Sequence, residues 1–295
     1  MYFTGFADEA GASIETQIKA TKELGWEFIE ARGIDGKNIH DLDENAFLAV
    51  KEKLAAAGVR VNCFGSAIAN WGKRIDQPFD SSLAEAERSI KRMRALGTKL
   101  VRIMSFAELK NADGSAAADQ MEAERFRRVR DLHMMFADNG MTAVHENCMN
   151  YGGMSWQHTM RLLEHVPELK LVFDTGNPIF TDDRARAAPF PKQSPWEFYQ
   201  RVRDHVAYIH IKDGYWDHAA GKMVFTHAGE GEGDVHLILQ DLLSRGYEGG
   251  ISIEPHLAVV AHKGGSGGEA AVRYTNYVEY GRRLMAMIER IKKTG

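Results

Sequence analysis

Four segments of the chain run from apolar, strand-forming residues straight into a side chain that can bind a metal: MTAVHEN (141–147), LKLVFDTGN (169–177), VAYIHIKD (206–213) and GGISIEPH (249–256). They deliver Glu146, Asp174, His210 and Glu254. Three carboxylates and one imidazole suit a single hard-to-borderline divalent cation: Mn²⁺, Mg²⁺, Co²⁺ or Zn²⁺. In a strand, alternate side chains share a face, so Val144 accompanies Glu146, Val172 accompanies Asp174, Tyr208 accompanies His210 and Ser252 accompanies Glu254. All four ligands can therefore point to one side without a forced register. Buried together, they would repel and desolvate one another unless a compensating charge were present, and a dication provides it. The competing reading pairs each acid with one of the chain's arginines. That suffices for one acid, but less well for a set at equal depth on successive strands. His145, next to Glu146, faces the other way and is expected to be a hydrogen-bonded core histidine.

Such a set must be held by strands that end together. Strand-like runs at 2–6, 27–34, 59–66 and 99–106 precede the four ligand segments. Helical patterns follow them at 13–24, 43–57, 82–96, 119–138, 155–166, 195–204, 234–245 and 269–292. Gly58, Gly97, Gly140 and Gly246 stand just past helix ends, and Asp80 to Ser82 supply start signals for the third helix. Strands joined by helical crossovers are parallel. Eight such units over ~250–300 residues predict a closed (β/α)₈ TIM barrel, a single domain over 1–295. An open doubly wound sheet would call for a Gly-rich dinucleotide turn after the first strand, and GFADEAG is not one. Barrel active sites sit at the C-terminal strand ends, where the fifth to eighth strands place the four ligands. Two long loops, 177–195 and 214–233, follow ligand-bearing strands and are expected to act as lids over the same mouth.

Across the whole chain, 44% hydrophobic and 26% charged residues are ordinary for a globular protein, and a net charge of −4 gives no general attraction to nucleic acid or anionic membrane. No apolar run approaches the ~18–20 residues of a membrane span. The acidic N-terminus lacks signal-peptide character. The two cysteines, Cys63 and Cys148, form no disulfide framework and fit a reducing cytoplasm. The expectation is a cytoplasmic protein acting on a small molecule, with no nucleic-acid or membrane partner.

Glu in an H-E-N stretch, then D-T-G-N, H-I-K-D and I-E-P-H, in that order, resemble the xylose-isomerase-like TIM-barrel superfamily, most closely the sugar epimerases and isomerases of the tagatose/psicose 3-epimerase kind. GFADEAG and the GEGEGD run (229–234) are weaker points of likeness. The resemblance implies one divalent metal on Glu146, Asp174, His210 and Glu254, with the sugar's C2 and C3 oxygens on the metal. It implies Glu146 and Glu254 as the catalytic pair on opposite faces of the reacting carbon. One takes the proton next to a ketose carbonyl, a metal-stabilised enediolate forms, and the other returns a proton. Such chemistry needs a positioned base and an electrophile, and two carboxylates in unequal environments can serve as acid and base. A homodimer or homotetramer is also implied. The chain departs from the epimerases at Asn177, where they carry a substrate-contacting His, and at Trp216, where they carry an Arg.

Substrate contacts are expected from Asn177; from Lys212, which shares His210's inward direction, against a plain salt bridge to an acid such as Asp213; from His227 before the GEGEGD run, against a second-cation ligand or a surface-loop histidine; and from the ring of Trp71, with Phe6 a further ring that also reads as core. The Gly-rich run 262–270 with Lys263 is a candidate phosphate loop, against the plainer reading of a solvated loop. Met134 and Met135 are expected to be packing residues. The same machinery could drive β-elimination, giving a metal-dependent lyase or deglycosidase acting on a 3-keto-glycoside or related oxidised sugar. A non-catalytic sugar-binding barrel would not need both glutamates. The apurinic endonucleases share the barrel but use three metals and further histidines. Asn177, the absence of a ligand at Ser105 and the acidic charge balance argue against that activity.

Overall fold

Apolar runs alternating with amphipathic segments close on themselves here as the crossover rule requires. The structure, a computed structural model, describes residues 1–257 and 268–294. The barrel strands are β1 (Tyr2–Gly5), β2 (Phe28–Ala31), β3 (Arg60–Phe64), β4 (Leu100–Ile103), β5 (Thr142–Glu146), β6 (Lys170–Asp174), β7 (Val206–Ile211) and β8 (Gly250–Ile253). They form one parallel sheet in the order β1-β8-β7-β6-β5-β4-β3-β2. A parallel bridge between Phe6 and Glu30 joins the ends of β1 and β2 and nearly closes the ring. The fold is a TIM barrel.

The helices are α1 (Ile14–Glu23), α2 (Glu44–Ala57), α3 (Asp80–Leu96), α4 (Glu122–Ala137), α5 (Trp156–His165), α6 (Pro195–Val202), α7 (Val235–Ser244) and α8 (Gly268–Thr294). Ser13, Asp43, Ser155 and Ser194 cap α1, α2, α5 and α6 by accepting a backbone N–H of the first turn. Gly58 and Gly97 end α2 and α3 in the left-handed conformation at φ 65° and 72°. The start of α3 differs from expectation. Phe79 holds the cap position without a side-chain bond, so Asp80 to Ser82 lie inside the helix. Among the described residues no helix is long and apolar enough to cross a membrane.

Cys63, Val144, Val172 and Tyr208 form a small apolar cluster inside the ring, separate from the larger core of strands against helices. Val144, Val172 and Tyr208 thus share the inward face with the ligands, as the alternation requires. Asp174 pairs with His210, whereas Glu146 pairs with Val172 and Ser252 with His210. The four ligands therefore do not lie at equal depth. Glu146 sits one inward rung below Asp174 and His210, and Glu254 one rung above, the stagger that barrel closure imposes.

The segments expected as plain loops carry structure. Asn177–Phe180 is a single helical turn, and Asp213–Asp217 pairs antiparallel with Lys222–Thr226 as a hairpin. The GEGEGD run folds around a buried carboxylate. Asp213 accepts backbone N–H bonds from Gly214, Gly229, Gly231 and Gly233 at 2.8, 2.7, 3.2 and 2.8 Å. A Cβ at Gly231 or Gly233 would lie 2.4 or 2.8 Å from Asp213 Oδ1, so the glycines let the backbone approach that closely.

Candidate metal centre and its cavity

Each ligand-bearing strand ends in a residue whose neighbours fix its side chain. Asn147 clamps the Asp174 backbone, donating to its carbonyl at 3.0 Å and accepting its N–H at 2.7 Å. The turn after β6 then folds back so that Asp174 Oδ1 accepts the N–H groups of Gly176 and Asn177 at 2.8 and 2.6 Å. That leaves Oδ2, which lies 3.0 Å from Lys212 Nζ. Glu146 Oε2 accepts from Arg102 at 3.0 Å and its Oε1 from Asn177 Nδ2 at 3.3 Å. Glu254 Oε1 accepts from Arg32 at 2.9 Å and its Oε2 from Lys212 at 3.2 Å. The acids of GFADEAG hold Arg32 in turn, Asp8 at 2.9 Å and Glu9 at 3.3 Å. His210 Nε2 stands 3.0 Å from Glu30 Oε2, which aims Nδ1 into the cup.

Ligand atoms of Glu146, Asp174, His210 and Glu254 all lie within 4.8 Å of one another, and all four residues are buried. The arginine-pairing and metal-binding readings are therefore not exclusive, since each guanidinium holds one oxygen of its glutamate and leaves the other facing the cup. The donor set fits a dication on two further grounds. Among the described residues, His210 Nδ1 is buried with no hydrogen bond, and Asp174 Oδ2 has only the Lys212 ammonium at 3.0 Å, an arrangement that a bound cation would satisfy. A carboxylate behind the far nitrogen of a ligating histidine is also the support such ligands usually have.

The charges are unevenly compensated. Burial works to raise the Glu146 carboxyl, but Arg102 and His210 outweigh it and hold the group at about 2. Burial likewise opposes ionisation of Glu254, yet Lys212, His256 and Arg32 keep it well below the usual carboxylate range. For Asp174 burial prevails over Lys212, and the carboxyl is pushed up to about 6. Burial disfavours the His210 imidazolium, but Glu30 and Glu146 raise it to about 10. Lys212 is raised despite burial by Asp174 and Glu254.

A cavity of about 500 Å³ opens above the quartet, with Asn177, Lys212 and Trp71 on its wall. Met223 and Phe225 of the hairpin and Phe180 of the helical turn also line it, so both long loops reach the mouth. Phe6 and His227, expected at the substrate, are placed elsewhere. Phe6 is fully buried with its ring 5.0 Å from that of His210 and 4.2 Å from the Arg32 guanidinium, a platform beneath the charged groups. His227 packs its ring 5.7 Å from Tyr280. His145 is buried and bonds Ser105 at 3.0 Å, as a core histidine should. Residues 262–267 of the candidate phosphate loop lie outside the described residues. Sequence reasoning missed Glu30, Arg32, Arg102 and Asn147. The available signal was charge inside or at the end of apolar runs, FIEA and LVRI above all.

A family model for the xylose isomerase-like TIM barrel matches residues 18–273, and the chain belongs to that family. Similar solved structures include a xylose isomerase-like TIM barrel protein from Mycobacterium smegmatis in complex with magnesium (17% identity, TM-score 0.66, covering 98% of this chain and 97% of that one). Another is a probable 3-DHS dehydratase from Bacillus anthracis (16%, 0.68, 97% and 99%). A third is an L-ribulose 3-epimerase (14%, 0.66, 99% and 95%). At these identities the likeness is one of fold. No curated protein matches the chain.

Proposed function

We propose that this protein is a divalent-metal-dependent sugar isomerase or epimerase that moves a proton on the carbon next to a ketose carbonyl. The observation that carries this is the matched treatment of two glutamates. Glu146 is anchored through one oxygen by Arg102 at 3.0 Å and Glu254 through one oxygen by Arg32 at 2.9 Å, while the second oxygen of each faces the cup. One carboxylate takes the proton and the C–H electron pair moves toward the carbonyl oxygen; the other carboxylate, having taken a proton from water, delivers it to the carbon as the electron pair returns, and the first then releases its proton to water. Both glutamates are held ionised by their cationic neighbours, the state a base requires at neutral pH. Asn177 and Lys212 supply hydrogen-bond donors on the cavity wall for the sugar's oxygens. A dication on Glu146, Asp174, His210 and Glu254 would supply electrophilic stabilisation of the developing negative charge.

The test is proton exchange followed by NMR in D₂O, with the protein supplied with Mn²⁺ or Co²⁺ and a panel of ketoses and 3-keto-glycosides. Deuterium at the carbon beside the carbonyl, with a new sugar formed, is expected. Loss of water or an aglycone would instead assign elimination, the lyase reading. Undiminished exchange in Glu254→Gln would remove that residue from the proton transfer.

A further inference from the structure

A second cavity, of about 350 Å³, adjoins the first and shares Trp71, Cys148, Met149 and Phe180 with it along their border. Each cavity alone is within the ~300–1,000 Å³ that encloses a whole small ligand. Of the quartet, Glu146 and Glu254 line the first cavity and none lines the second, so the second adds room away from the reacting carbon. On the border Trp71 and Met149 are half exposed, at 52% and 49%, offering an apolar face to a flat ring.

The second cavity's wall is charged but internally paired. Arg184 stands 3.0 Å from Glu108 and 3.5 Å from Asp182, Lys192 2.8 Å from Asp182, and Lys110 3.9 Å from Glu108. An anionic group would have to take a cation from a partner already in place. A neutral polyhydroxyl ring can instead exchange hydrogen bonds with both signs of charge while stacking on the indole.

We propose that the second cavity is a subsite for a neutral second ring, so that the preferred substrate is a glycoside: the ketone-bearing ring lies over the quartet and the attached unit lies beyond Trp71. The placement of the reacting ring rests on the proton-transfer reading; the two-ring fit does not. Titration calorimetry on the full chain, loaded with Mn²⁺, would compare a ketohexose, the same ketohexose bearing a glucosyl unit, and its phosphate ester. The glucosylated sugar is expected to bind at least about 10-fold tighter than either, about 1.4 kcal/mol. Ala107→Trp fills the second cavity only, and is expected to abolish that advantage while leaving ketohexose binding within about 2-fold of the unaltered protein. Equal affinity for one and two rings, or tightest binding of the phosphate, would overturn the subsite even if Ala107→Trp failed to fold. D₂O exchange run in parallel separates the two ideas. Exchange with no second-ring advantage would sink the subsite alone, and a second-ring advantage with no exchange would sink the proton-transfer reading alone.

Discussion

The Glu30 carboxylate stands 3.0 Å from His210 Nε2 in the barrel interior, with both side chains fully buried. Glu30 also accepts hydrogen bonds from Tyr208 at 2.8 Å and Ser252 at 2.6 Å. A carboxylate fixed on two hydroxyls in turn fixes the imidazole, so the direction of His210 Nδ1 is set by strand β2, on the far side of the ring.

Glu30→Gln should therefore weaken Mn²⁺ binding by about 10-fold or more, as loss of such support commonly does. Calorimetric titration of metal into the variant measures this directly. Unchanged affinity, in a variant of unchanged circular dichroism, would mean that Glu30 does not orient the ligand.

Arg102 and Glu146 form a buried pair, 7% and 1% exposed. Arg102→Leu strands the carboxylate and should destabilise the protein by about 3 kcal/mol, while the double variant Arg102→Leu, Glu146→Leu should recover part of that. Urea denaturation of the singles and the double gives the coupling. Simple additivity would show that the pair does not interact as described.

Asp213→Ala would free the backbone N–H groups of Gly214, Gly229, Gly231 and Gly233. Each such group costs ~1–3 kcal/mol if left buried and unbonded, so the 214–233 segment should open rather than stay in place. Hydrogen exchange should rise there first. Because Met223 and Phe225 line the cavity, KM should rise about 10-fold or more for the sugar that the protein turns over. Unaltered exchange in that segment would contradict the anchoring role.

His40, His145 and His158 are held down to about 4, burial being the main cause in each. They stay neutral in the fold but take a proton in the unfolded chain below about 6.5, so the unfolded state binds more protons as the pH falls. Their contribution is intact above pH 6.5 and is lost as the pH drops toward 4, by ~1.4 kcal/mol per unit for each residue. Denaturation curves of His158→Asn at pH 7, 6 and 5 should show a shallower loss than the unaltered protein. Parallel losses would place the acid sensitivity elsewhere.

Much of this architecture was legible in the amino-acid order because each apolar run stops at a chemically distinct residue. TAVHE, KLVFD, VAYIHI and GISI each became strands, and Glu146, Asp174 and His210 share the inward face of Val144, Val172 and Tyr208 as alternation requires. What could not be read depends on pairing across the ring. Glu30 meets His210 from 180 residues away, and Arg32 meets Glu254 from 222. The rung-by-rung ascent of the ligands is set by strand register, which no single strand encodes. The glycines of 229–234 read as a weak point of family likeness within a lid loop, yet their need for space comes from Asp213, a neighbour only after the hairpin has turned.

The Trp216 substitution has its own outcome. Lys192, from the other long loop, lays its ammonium 4.0 Å above the Trp216 ring while reaching Asp182 at 2.8 Å and the Phe180 carbonyl at 2.9 Å. A single side chain thereby clasps two flaps that arise from different strands. Either flap, in swinging wide, would break the contact between the Lys192 ammonium and the Trp216 ring.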